Sequence, residues 1–200
     1  MSKLNVDTIE PEGASTTLTL GASGDTVDVP SGATLDVTGA TVTGLSAGKV
    51  LQVVQATKTD IASSTSTTFV TTGLEASITP SSTSNKVLVT ISASHSQKPD
   101  MALALQLNRD STAIFLGDTA GSRTRASVGT NYQDISGNTH NSVINYLDSP
   151  STTSATTYKL MWATKGAGTL GIFLNMSAAD TDAANHERSA SSIILMEIEG

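Results

Sequence analysis

Few side chains in this sequence could do chemistry. Histidine occurs at His95, His140 and His186, and cysteine is absent, so neither a disulfide nor a thiolate is available. The densest set of potential ion ligands is Asp180, Asp182, His186 and Glu187, whose carboxylate oxygens and imidazole could together hold a divalent cation. Their spacing matches no specific metal motif and reads better as a solvated loop, so neither a metal nor a cofactor is expected. His95 continues the alternating row Val87, Val89, Ile91, Ala93 and reads as the cap of a core face. Gly44-Leu45-Ser46-Ala47-Gly48-Lys49 comes near a phosphate-binding loop, but three residues separate the glycines where four are needed, and Val50 stands where a Ser or Thr should follow the lysine. A hinge is the better reading. Neither a Gly-x-Ser-x-Gly elbow nor a His-Glu-x-x-His pair occurs. A carboxylate pair for glycoside hydrolysis is set by distances in the fold and has no sequence signature. No catalytic residue is assigned, and the expectation is a protein that binds without turnover.

One segment is different in kind. Residues 118–141 carry Arg123, Arg125, Asn131, Tyr132, Gln133, Asp134, Asn138 and His140, a mixture of charged, amide and aromatic groups able to hydrogen-bond to a glycan and stack on it. A subunit contact or a loop without fixed structure accounts for the same composition. Arg123, Arg125, Asn131, Tyr132, Gln133 and Asn138 are the candidate receptor-binding residues. Trp162 shares a face with Tyr158 and Leu160, which points to a core or a subunit interface rather than to sugar stacking.

Composition narrows the class. Of 200 residues, 58 are Ser or Thr and seven are aromatic, while apolar residues make up 38% and charged residues 14%. With no run near 18 apolar positions, membrane insertion is not expected, and the charge is too sparse for a charge-dominated disordered chain. A net charge of −7 without a Lys/Arg cluster gives nothing to hold a phosphate backbone, so nucleic acid is not an expected partner. Residues 1–13 are acidic and lack the apolar core of a secretory signal, which leads to an expectation of assembly in a cytosol.

The elements that must position these groups divide near Gly48. Residues 1–48 hold one lysine, six carboxylates and no aromatic residue. Apolar pairs recur there at Leu18/Leu20, Val27/Val29 and Leu35/Val37, followed by Val42 and Leu45, with glycine-rich turns between them. Rungs this thin cannot be stable alone, whereas rungs stacked from several chains can share one narrow apolar axis. A flexible Gly/Ser/Thr linker is the alternative, and the regular pairs argue against it. From Lys49 the reading is all strand, with candidates at 49–57, 67–72, 74–79, 86–96, 101–108, 112–117, 142–148, 156–165, 169–177 and 191–199. Asn108-Arg109-Asp110-Ser111 should close a hairpin. No helix is expected, because the period is two and Thr, Val and Ile abound. The fold class is therefore all-β, a sandwich or jelly roll behind a short β shaft. The last strand is apolar on both sides, with Ile193 and Leu195 opposing Ile194, Met196 and Ile198. A lone sandwich favours one wet face per strand, so Ile194, Met196 and Ile198 are expected at a subunit interface.

Several segments resemble the virion fibre proteins of tailed bacteriophages, especially those of marine and cyanobacterial phages. The resemblance lies in Ser2-Lys3-Leu4-Asn5-Val6-Asp7-Thr8-Ile9, the repeat from Gly21 to Val42, and the junction Gly44-Leu45-Ser46-Ala47-Gly48-Lys49-Val50-Leu51-Gln52-Val53. Thr157-Tyr158-Lys159-Leu160 and the closing Ser191 to Gly200 share it. The second part is similar to trimeric jelly rolls of the tumour-necrosis-factor and complement-globular type. The resemblance implies a homotrimer with a virion-anchoring segment at 1–20, a trimeric β-repeat shaft at 21–48 and a jelly-roll head at 49–200. It implies other virion proteins as partners, held through the N-terminal segment, and a host surface glycan met by the head. A tail fibre and a capsid fibre or decoration both fit these residues, and in either the protein would reside in the virion after assembly in the bacterial cytoplasm.

Overall fold

Alternating apolar and hydroxyl side chains shape the domain that a computed structural model describes. Its described residues are 31–34, 49–130, 138–165 and 171–200. They form β1 (Val50–Lys58), β2 (Ala62–Ser64), β3 (Val70–Ile78), β4 (Lys86–Gln97), β5 (Ala102–Arg109), β6 (Thr112–Ile114), β7 (Val128–Thr130), β8 (His140–Asp148), β9 (Thr156–Lys165), β10 (Ile172–Leu174) and β11 (Ser191–Ile198), with no helix among the described residues. The expected all-β class holds. The chain separates into two units, Met1–Leu45 and Ser46–Gly200. Of the first, only the turn at Ser31 and Gly32 and the two residues after it are described. The anchoring segment 1–20 and nearly all of the shaft 21–48 lie outside the described residues.

The strands make a six-stranded and a five-stranded antiparallel sheet. Short strands merge into longer rows. Strand β4 pairs with β8 along one edge and with both β11 and β10 along the other, so β10 and β11 share a row, and their outer partners β2 and β1 share the next. In the second sheet β5 pairs with β9 on one side and with β6 and β7 on the other. Counted in chain order, the first sheet is row 1 (β1, β2), row 8 (β10, β11), row 3 (β4), row 6 (β8). The second is row 2 (β3), row 7 (β9), row 4 (β5), row 5 (β6, β7). Row 1 pairs with 8, 2 with 7, 3 with 6 and 4 with 5, which is one long antiparallel ribbon rolled into a sandwich: a jelly roll.

The inner faces close on Val87, Val89, Ile91, Leu103, Leu105, Leu107, Tyr158, Leu160, Trp162, Ile193 and Leu195, all essentially without solvent exposure. The expected Trp162, Tyr158 and Leu160 row is thus core. Burying each large side chain contributes about 1.5–3 kcal/mol, which is why the period of two is kept throughout β3 and β11 and through most of β4 and β9. His95 is fully buried at the end of its row, as its spacing requires.

Several expected boundaries shift for local reasons. Residues 67–72 and 74–79 are one strand rather than two, because Gly73, at a φ of 79°, absorbs a register shift against β9 between Thr71 and Glu75. The strand expected at 112–117 stops at Ile114, where Phe115 turns to a φ of 53°. That expected at 169–177 is confined to Ile172–Leu174, ended by Asn175 at a φ of 62°. The hairpin at Asn108–Ser111 is present, with Arg109 opposite Thr112. The long connection 118–141 is not wholly irregular, since Val128–Thr130 pairs with Leu103–Leu105.

Candidate functional site

The outer face of the first sheet is unusual for a lone sandwich. Along β11 the side chains of Ser191, Ile193, Leu195 and Glu197 point into the domain, so Ser192, Ile194, Met196 and Ile198 point out. Across the ladders Val53 faces Met196, Met196 faces Leu88, and Leu88 faces Leu147. One apolar row therefore crosses every strand of the sheet's lower half. At its ends Val53 is 57% exposed and Leu147 47% exposed, and Val50, opposite Ile198, adds another open apolar side chain. Ile194 lies in the next row between Gln55 and Thr90. The three residues singled out from sequence, Ile194, Met196 and Ile198, are all on this face and half-buried. Val53, Leu88 and Leu147 belong with them, although their strands individually show only ordinary amphipathic alternation. Only the register puts them in line.

A buried polar cluster sets the edge strand that carries Val53. Glu197, one position past Met196, accepts hydrogen bonds from Asn85 Nδ2 at 2.5 Å, Ser81 N at 2.6 Å, Ser81 Oγ at 2.8 Å and Gln52 Nε2 at 2.6 Å. Burial alone would raise its pKa, but the donors from Asn85, Gln52 and Ser81 outweigh burial and hold the carboxyl down at about 2. Gln52 also reaches Thr79 O at 2.7 Å. With Gln52 fastened inward, period two turns Val53 outward against Met196.

A second cluster ties the two sheets together. Arg109 Nη1 donates to both Asp148 oxygens at 3.1 and 2.9 Å, and Tyr158 Oη donates to Asp148 Oδ2 at 2.7 Å. Burial first, and then the neighbouring carboxylate, push the Tyr158 phenol far above its usual range.

The loop groups are more dispersed. Arg123, Arg125 and Asn138 are exposed, whereas Asn131, Tyr132 and Gln133 lie outside the described residues. Arg125 Nε donates to Gly117 O at 2.7 Å, which fixes its direction. His140 sits directly across the ladder from His95, their ring centroids 6.2 Å apart, and His95 Nε2 is 2.8 Å from Ser142 Oγ. Burial, then His140, lower the His95 pKa to about 4. Asp180, Thr181, Asp182, Ala183, His186 and Arg188 line an open cavity of about 390 Å³. Two bonds link its groups: Arg188 Nη2 donates to Asp180 at 2.5 Å, and Thr181 bonds His186 Nδ1. Among the described residues no group of three or more His, Cys, Asp or Glu side chains could hold a metal ion.

No protein-family model matches the chain, and no curated protein matches it. Among solved structures it aligns with the infectious bursal disease virus VP2 subviral particle at a TM-score of 0.39 and 13% identity, over 74% of this chain and 39% of that one. The structures of the Gt and Gx strains of the same virus align at a TM-score of 0.38 each, with 13% and 14% identity, over 74% of this chain and 40% and 41% of theirs. The chain thus spans about two fifths of the length of the chains it matches. These are distant likenesses, and the functional reading rests on the chain's own residues.

Proposed function

We propose that the chain is a structural protein of a virus particle, a homotrimeric phage tail fibre that attaches to the host cell through its C-terminal head. In this reading residues 1–20 hold other virion proteins, residues 21–48 intertwine as a three-chain shaft, and the jelly roll at 49–200 meets the host surface without catalysing a reaction. The observation that carries it is the apolar row Val53, Met196, Leu88, Leu147 on the outer face of the first sheet. Exposed apolar surface in such a continuous line is the mark of an interaction face. Further copies of the same chain are its occupant, because the apolar pairs of the first 48 residues need the same partners to bury them.

The solution mass of the purified chain, measured by light scattering, tests this. The expected mass is near three times the 20.5 kDa of one chain. A stable monomer would overturn both shaft and trimer. Deleting residues 1–20 should leave a soluble trimeric head that no longer enters virions, and its incorporation would refute the anchor. Antibody labelling of intact virions separates a tail position from one on the capsid shell.

A further inference from the structure

Phe115 is an aromatic residue in a backbone conformation that suits glycine or asparagine. At a φ of 53° its Cβ crowds the neighbouring peptide, and bulky side chains rarely take that region. The strain is not repaid by burial, since the residue remains 42% exposed. Its ring instead leans on Tyr146 of β8, with centroids 5.0 Å apart and planes at 31°. Tyr146 in turn packs on the core, beside which Ile114 and Val128 also lie. The pair forms a partly exposed aromatic shelf linking the edge rows of the two sheets, β6 and β8. Strained residues held by well-packed neighbours gather at binding sites.

The loop that follows Phe115 carries two exposed guanidinium groups, Arg123 and Arg125. Gly117, two residues beyond Phe115, donates its N–H to Ala126 O at 3.1 Å and accepts from Arg125 Nε at 2.7 Å, closing the base of the loop 117–126. Within the loop, Arg123 N donates to Ala120 O at 3.2 Å. The Arg123 side chain and the terminal nitrogens of Arg125 have no hydrogen-bond or ion-pair partner among the described residues, although the chain carries 18 carboxylates against 11 lysines and arginines. An aromatic face stacks on the C–H side of a pyranose ring, and a guanidinium fork matches a carboxylate or sulfate with two parallel hydrogen bonds. We infer that the Phe115–Tyr146 shelf together with Arg123 and Arg125 binds an acidic saccharide. The inference rests on the attachment reading for its biological setting and names the ligand class and the residues that meet it.

The test is titration of the full chain, at low salt, with polygalacturonate and dextran sulfate as probes and uncharged dextran as control. Binding of an acidic probe in preference to dextran is expected, weakening as salt rises. Phe115→Gly should retain the thermal midpoint, because glycine accepts the backbone angle, while binding falls at least tenfold. A purely structural Phe115 would instead lower the midpoint and leave affinity alone. The double variant Arg123→Gln/Arg125→Gln leaves the core untouched and should abolish the preference for the charged polymers. No binding of either acidic probe at millimolar saccharide, equal binding of dextran, or undiminished binding by the arginine variant would each overturn the inference. A monomer that binds through these residues would sink the trimer and keep this site. A trimer that ignores both probes would do the reverse.

Discussion

Val53 and Met196 face each other across the β1–β11 ladder on the side of the sheet turned away from the core, and Val53 there is 57% exposed. Leu195, next to Met196, is fully buried against the opposite sheet. One strand thus serves two apolar environments, only one of which the domain itself supplies.

Under the proposed assembly, Met196→Asp and Ile194→Asp should convert a trimer to monomers. A carboxylate on this face would be buried unpaired in the proposed assembly, at a cost of several kcal/mol, but hydrated in the free domain. Light scattering should show one chain mass while circular dichroism retains the β spectrum. A trimer persisting in both variants would mean that another face holds it.

His95 makes the fold sensitive to mild acid. Its pKa, about 4 when folded against 6.5 for the free side chain, is depressed, so the folded state favours the neutral ring. The stabilisation is complete above pH 6.5 and is lost as pH falls towards 4, amounting to about 3 kcal/mol by the linkage relation. Glu197, held at about 2 against 4.5, adds a further loss below pH 4.5. Thermal midpoints recorded from pH 8 to pH 3 should fall in both windows, and His95→Gln should remove the upper one. An unchanged slope between pH 6.5 and 4.5 in that variant would assign the acid sensitivity elsewhere.

Glu197→Leu should destabilise the domain by about 3 kcal/mol, because it leaves the donors of Asn85, Ser81 and Gln52 buried without an acceptor. For a chain of this size that corresponds to a fall of about 6–12 °C in the thermal midpoint. Tyr158→Phe, which removes one hydrogen bond to Asp148 and leaves the Arg109 pair in place, should cost about 1–2 kcal/mol. Equal losses in the two variants would show that Glu197 is better solvated than its surroundings imply.

The period of two in this sequence determined a great deal without help. It marked β4, β9 and β11, assigned Trp162, Tyr158 and Leu160 to the core, and put Ile194, Met196 and Ile198 on the face opposite Ile193 and Leu195. Side-chain alternation is a local property of extended backbone, so it needs no knowledge of neighbours. What only the tertiary structure decided is which rows adjoin. Val53, Leu88 and Leu147 become one line with Met196 through pairings between residues as distant in sequence as Val53 and Met196. Phe115 and Tyr146 meet across two sheets, and Glu197 collects donors from two separate segments, Gln52 on β1 and Ser81 and Asn85 in the connection before β4. Hydrogen bonding between strands is indifferent to side-chain identity, so the partner of a given row is chosen by the packing of the whole sandwich and leaves little trace in any one segment.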